Sequence, residues 1–206
     1  MGTSVLQQYI QNRIVEFENI PSERKDVLNK LSDFISLKNK KNEICNLIFI
    51  CTHNSRRSIL TQIWAQVAAC YYEMADVRAF SGGTEATAIF PEILSSLEKA
   101  GLQTKKIAEK NNPLYEIKYD DSQSPIKGFS KTYNDAFNPQ QDFAAIMTCS
   151  DADKNCPFIP NAITRISLPF DDPKAFDNTS QQAEKYDERC RDIAREIFYA
   201  FSNIKK

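Results

Sequence analysis

The stretch Asn46-Leu-Ile-Phe-Ile-Cys51-Thr52-His53-Asn54-Ser55-Arg56-Arg57-Ser58 decides the fold. Its first six residues form a short, continuous apolar run, the pattern of a strand buried on both faces. A polar turn follows. From Ser58 to Tyr72 the residues Ile59, Ile63, Val67 and Tyr71 then recur at helical spacing. The strand–turn–helix unit repeats downstream. Val77–Ser81 reads as a strand closing at Gly82-Gly83, and Pro91–Ala100 as a helix with proline near its start and Gly101 at its C-cap. Phe143–Thr148 and Thr164–Leu168 read as two more strands. Gln182–Phe201 reads as a closing helix with Ile193, Ile197, Phe198 and Phe201 on its apolar face. The alternation predicts an α/β fold, a small parallel sheet of about four strands with helices on both faces. Ligands in such folds bind at the C-terminal ends of the strands, where the polar turns lie.

Upstream of this unit the chain changes character. Val5, Leu6, Tyr9, Ile10, Ile14 and Phe17 lie on one helical face, and Pro21 breaks the pattern and restarts it. Val27, Leu28, Leu31, Phe34 and Ile35 form a second stripe that ends in the basic run Lys38–Lys41. An N-terminal helical hairpin over residues 1–44, packed on a main domain of residues 45–206, is expected. Within the main domain, about residues 112–141 read as an irregular insertion. In it Leu114–Tyr119 and Pro125–Ser130 pair as a hairpin around Asp120-Asp121-Ser122.

Composition narrows the function. The chain has 206 residues, 42% of them hydrophobic, which is enough for a packed core. Its formal net charge of −1 removes the general electrostatic case for nucleic acid or an anionic membrane as partner. No apolar run reaches membrane-spanning length, and Met1–Gln11 lacks a signal-peptide pattern, so a cytoplasmic location is expected. There the six cysteines are expected to be reduced. Cysteine patterns are then catalytic or metal-binding rather than staples.

The chemistry concentrates between Cys51 and Ser58. A cysteine closing a buried strand, five residues, an arginine and then a helix form an anion cradle. Backbone N–H groups converge there and the helix N-terminus adds its positive dipole end. Thr52, His53, Asn54, Ser55, Arg56, Arg57 and Ser58 are the expected oxyanion-binding residues. Arg57 supplies the planar fork that matches two oxygens of a tetrahedral anion. The same field favours the thiolate of Cys51, the expected nucleophile. Asn54 is placed to brace the loop and Ser58 to hydrogen-bond the sulfur. Cys45, Cys70 and Cys190 sit in no cationic turn and read as apolar fillers.

This loop resembles the signature of the low-molecular-weight protein tyrosine phosphatases and of the thioredoxin-coupled arsenate reductases that share their fold. The resemblance implies that Cys51 attacks, Arg57 binds the oxyanion, Ser58 partners the thiolate and Asn54 braces the loop. Ser81-Gly82-Gly83-Thr84-Glu85 is similar to the small-residue turn after the second strand of those families. Asp171-Asp172-Pro173 resembles their acidic loop and implies that Asp172 is the general acid. The proline biases its neighbour toward extended backbone, which suits that role.

Between the two families, the stretch Cys149-Ser-Asp-Ala-Asp-Lys-Asn-Cys156 favours the reductases. It resembles their redox loop, which implies a relay from Cys51 to Cys149 to Cys156, drained by thioredoxin. A zinc site is the competing reading of the pair, but the sequence offers neither a second close cysteine pair nor a spare histidine. Lys174-Ala175-Phe176 lacks the aromatic pair that lines a phosphotyrosine cleft. The run Tyr186-Asp187-Glu188-Arg189-Cys190 is similar to the closing helix of the reductases. The alternative, a tyrosine phosphatase working through a phosphocysteine, needs only Cys51, Arg57 and Asp172, with the cysteine pair guarding the nucleophile from oxidation.

The chain also departs from the pattern. His53 stands where the families keep a glycine, and it reads equally as a proton-transfer group or a tolerated loop residue. Arg56 replaces a cysteine and adds charge near the anion site. Gln62 replaces a glutamate associated with potassium in many reductases, so no metal is expected. No bound cofactor is expected either, with reducing equivalents coming from thioredoxin.

Overall fold

The structure, a computed structural model, describes residues 4–155 and 158–205. Its centre is a four-stranded parallel sheet in the order β2-β1-β6-β7. The strands are β1 (Cys45–Cys51), β2 (Val77–Gly83), β6 (Phe143–Met147) and β7 (Ala162–Ser167). β1 lies between β2 and β6, which explains why its sequence is apolar throughout rather than alternating.

The pleat divides β1 between two unequal cores. Leu47 and Phe49 join a large core with Ala144 and Ile146. Ile48, Ile50 and Cys51 join a smaller one with Ala145, Met147 and Cys149. Over the large core lie α3 (Arg57–Tyr71), α4 (Pro91–Lys99) and α6 (Gln182–Ser202). The small core is covered by α5 (Ser150–Asn155) together with Ile159 and Tyr133. The two faces are therefore covered unevenly, and both Cys51 and Cys149 belong to the thin side.

The N-terminal helices are α1 (Val5–Ile14) and α2 (Ser22–Lys40). Ser4 and Gln7 close a capping box at the start of α1, and Pro21 immediately precedes α2. Both helices rest on α6 and share the large core. Tyr9 stacks on Trp64 with ring centroids 5.3 Å apart. In α2, Arg24 pairs with Glu196 at 2.8 Å, and the Ser32 hydroxyl donates to the Ala200 carbonyl at 2.7 Å. The helical segment is thus continuous with the core of the main domain.

A second, antiparallel sheet has the order β3-β4-β5, with β3 at Gln103–Ala108, β4 at Leu114–Lys118 and β5 at Ile126–Gly128. β4 and β5 form the expected hairpin. β3 was not anticipated, because its polar sequence Gln-Thr-Lys-Lys lies mostly exposed at the sheet edge. Beyond β5 the chain folds back onto the end of β2. Gly83 donates its N–H to Lys131 O at 2.8 Å and accepts from Tyr133 N–H at 2.9 Å. A Cβ on Gly83 would strike the backbone of Glu85, Thr52 and Asn54, so the close approach requires glycine. Among the described residues no helix is long and apolar enough to cross a membrane.

Candidate active site

Residues 51–57 link the end of β1 to the start of α3. The loop's carbonyls point outward. Cys51 O accepts from Thr84 N–H, Thr52 O from Glu85 N–H, and Ser55 O from Phe90 N–H. His53 O accepts from the hydroxyls of Ser130 and Thr87. The N–H groups of Thr52 to Arg56 donate to no acceptor among the described residues. A loop with its carbonyls committed outside and its amides unpaired inside is built to receive an anion.

Asn54 carries the turn. Its φ of 47° makes it the left-handed residue of the loop, and its side chain repays the strain on both sides. Its Oδ1 accepts from Lys131 N–H at 2.9 Å and its Nδ2 donates to Ser58 Oγ at 2.8 Å. His53, which stands where the resembled families keep a glycine, is not left-handed and needs no such freedom. Its ring is exposed and faces Glu85, with Nε2 3.0 Å from Oε1.

Cys51 is buried, with its Sγ 3.0 Å from Ser58 Oγ. Because that oxygen already accepts from Asn54, its single proton is left for the sulfur. Arg57 is also buried. Its Nη1 donates to Phe170 O at 3.1 Å and its Nη2 to Asp172 Oδ2 at 2.5 Å. Its Nε–H meets no acceptor among the described residues. Asp172 also accepts from Lys174 N–H at 3.1 Å, capping the 3-10 turn Pro173–Phe176. Thiol, hydroxyl, guanidinium and carboxylate therefore converge from β1, α3 and the loop after β7.

Arg56 departs from its expected place beside the anion. Its guanidinium turns away from the cradle to Tyr186 Oη at 2.5 Å and Asp177 Oδ2 at 2.7 Å, and lies 4.1 Å from the Phe90 ring centroid. Only the Arg56 backbone remains in the loop. Tyr186, Asp177 and Phe90 were not read as site residues, since each is remote in sequence. The substitution that produced Arg56 was the one available signal.

Cys149 follows β6 and is fully buried. Its Sγ lies 3.6 Å from Thr52 Oγ1 of the cradle and accepts from Ala152 N–H at 3.3 Å. Residues 150–155, part of the stretch read as a redox loop, form α5. The helix is pinned by Asp153, which pairs with Arg165 at 2.5 Å and accepts from the Ser167 hydroxyl at 2.6 Å. Cys156 lies outside the described residues. Cys51 and Cys149 are both free thiols. Burial pushes the thiols of Cys45 and Cys190 up to about 12, which leaves them unreactive. Gln62 Oε1 accepts from the Ser81 hydroxyl at 2.5 Å. No cluster of three His, Cys, Asp or Glu residues suited to a metal ion occurs among the described residues.

No family model matches the chain. Among curated proteins, arsenate reductase 2 of Staphylococcus epidermidis is 27% identical over 128 residues, 62% of this chain and 77% of that protein. An arsenate reductase of Staphylococcus aureus matches with the same identity and coverage. Among solved structures, an arsenate reductase in the phosphate binding state aligns with a TM-score of 0.49 at 16% identity, covering 78% of this chain and 99% of that one. A low-molecular-weight protein tyrosine phosphatase from T. tengcongensis aligns with a TM-score of 0.49 at 15% identity, covering 75% and 96%.

Proposed function

We propose, from the anion loop and the chain's likeness to curated arsenate reductases, that it reduces arsenate to arsenite through a thiol relay. The observation that carries this reading is the place of Cys149, buried beside the cradle within reach of Thr52 and in one apolar cluster with Cys51. Phosphate-ester hydrolysis needs no second thiol there for turnover, although one could guard Cys51 from oxidation. The arsenate reductase relatives lean the same way.

The reaction begins with the Cys51 thiolate attacking arsenic, held by the loop amides and Arg57. Asp172 gives its proton to the departing oxygen, which leaves as water, and a Cys51–arsenic bond remains. The Cys149 thiolate then attacks Cys51 Sγ. A sulfur–sulfur bond forms as the sulfur–arsenic bond breaks, and the electron pair passes to arsenic, which leaves as arsenite. Cys156 attacks Cys149 in turn, freeing Cys51 and leaving a Cys149–Cys156 disulfide. A thioredoxin dithiol reduces that disulfide.

The phosphatase reading rests on Cys51, Ser58, Arg57 and Asp172 alone, which suffice for a phosphocysteine intermediate. One assay separates the two. NADPH oxidation with thioredoxin and thioredoxin reductase is followed with arsenate, beside hydrolysis of an aryl phosphate. Arsenate-dependent turnover that disappears in Cys149→Ser and Cys156→Ser supports the reductase. Efficient ester cleavage with no arsenate turnover replaces it with the phosphatase.

A further inference from the structure

We propose that Arg56 is a positioning residue that keeps the acid segment Asp172–Asp177 docked on the anion loop when Arg57 exchanges Asp172 for the oxyanion. The inference rests on the reading of Asp172 as general acid. It follows from two consecutive arginines gripping the two ends of one short segment. Arg57 holds Asp172 at the front, with Nη2 on Oδ2. Arg56 holds Asp177 at the back, with Nη2 2.7 Å from Oδ2.

The front tie and the substrate compete. Arg57 Nη2, the donor that grips Asp172, is also a donor of the fork expected to bind the tetrahedral anion. An arriving oxyanion therefore loosens Asp172 from Arg57 at the moment its carboxyl is needed at the leaving oxygen. The 3-10 turn between the two aspartates contributes one buried side chain, Pro173, so packing alone anchors it weakly.

The back tie is independent of the anion. Arg56, Asp177 and Tyr186 close a ring of hydrogen bonds. Arg56 Nε donates to Tyr186 Oη at 2.5 Å, and Tyr186 Oη donates to Asp177 Oδ1 at 2.6 Å. Phe90 stacks on Tyr186 with centroids 5.2 Å apart and offers its face to the Arg56 guanidinium. Both charged side chains of the pair are mostly buried, at 12% and 17% exposure, so solvent screens the tie little. The ring joins the anion loop, the acid segment and α6. Lysine would supply a point charge on a single nitrogen, not the planar fork that reaches Tyr186 from Nε and Asp177 from Nη2, so arginine is the residue the ring requires.

The test compares Asp177→Asn, Tyr186→Phe and Arg56→Lys with Asp172→Asn. It reads arsenate kcat and KM, the inhibition constant of inorganic phosphate, and amide exchange of Lys174 and Asp177 with and without saturating phosphate. Asp177→Asn is expected to lower kcat about tenfold or more, with KM and the phosphate constant within about twofold. Its Lys174 and Asp177 amides should exchange faster chiefly when phosphate is bound. Tyr186→Phe, which keeps the ring stacking, should show a smaller loss of the same kind, and Arg56→Lys should fall between. Unchanged kcat and exchange in the ring variants, with Asp172→Asn slowed, overturns the inference. Loss of phosphate binding in step with kcat also overturns it, because Arg56 then shapes the loop itself. An unaffected Asp172→Asn, or a parent protein that does not bind phosphate, removes instead the reading on which the inference rests.

Discussion

The five cysteines among the described residues occupy very different surroundings, and the surroundings separate their chemistry. Cys45 and Cys190 sit among apolar groups that push their thiols up, whereas Cys51 faces a hydroxyl proton and a helix N-terminus. Lys131 is the other residue whose environment decides its behaviour. Its backbone braces Asn54, while its ammonium is buried between Phe129 and Phe137, 4.6 and 5.3 Å from the ring centroids. No hydrogen-bond acceptor among the described residues reaches it. Burial lowers its pKa from 10.5 to about 8, with Asp135 opposing the shift. The unfolded chain keeps this proton to about pH 10.5, so between about 8 and 10.5 the native state binds fewer protons and stability rises with pH. Below about 8 both states are charged and the burial cost is fully present. Lys131→Met should therefore stabilise the protein at pH 7 by about 1 to 3 kcal/mol, the two aromatic faces offsetting part of the cost. The advantage should shrink as pH rises through the window, as read by urea unfolding at several pH values. A destabilised variant at pH 7 would contradict this.

At the scale of elements, legibility followed the source of each element's stability. β1 and α6 were readable because burial on both sides makes a strand apolar and one-sided burial gives a helix its period. β3 gains its hydrogen bonds from β4 while facing water, so its sequence carries no apolar signal. α5 is polar, with only Ala152 buried, and it holds together through Asp153 on β7. Nothing in Ser-Asp-Ala-Asp-Lys-Asn announces partners that come later in the chain. The anion loop was legible because its parts are contiguous. Asp177 and Tyr186 were not, because they reach Arg56 from more than a hundred residues away. Cys149 is fully buried, so a relay requires α5 to loosen. Asp153→Ala should destabilise α5 locally by about 1 kcal/mol and raise the alkylation rate of Cys149 several-fold. An unchanged rate, measured by mass spectrometry of the labelled peptide, would show that Asp153 does not hold the segment.

At the scale of the molecule, α1 and α2 cover an apolar face of α6 that would otherwise meet water. Leu28, Leu31 and Ile35 are buried there, and Arg24 answers the buried carboxylate of Glu196. Burial raises the pKa of Glu196 against the opposing pull of Arg24. Leu31→Ala should cost about 2 to 5 kcal/mol. Its urea transition should shift as one step in both circular dichroism and Trp64 fluorescence, because Trp64 touches α1 through Tyr9 and α6 through Phe198. Separate transitions would show that the N-terminal helices form a unit of their own. The thick core on one face and the thin one on the other divide the labour. The first fixes the sheet, and the second leaves the two thiols under the thinner cover of α5, Ile159 and Tyr133.

In the proposed relay Cys149 receives the first disulfide, and trapping that disulfide tests the relay at its first sulfur–sulfur bond. Reduced Cys156→Ser is treated with arsenate and quenched with acid, and its peptides are mapped by mass spectrometry without reduction. One equivalent of arsenite released and a Cys51–Cys149 disulfide are expected. Arsenite release with Cys51 joined to another cysteine, or no arsenate-dependent disulfide at all, would contradict the relay.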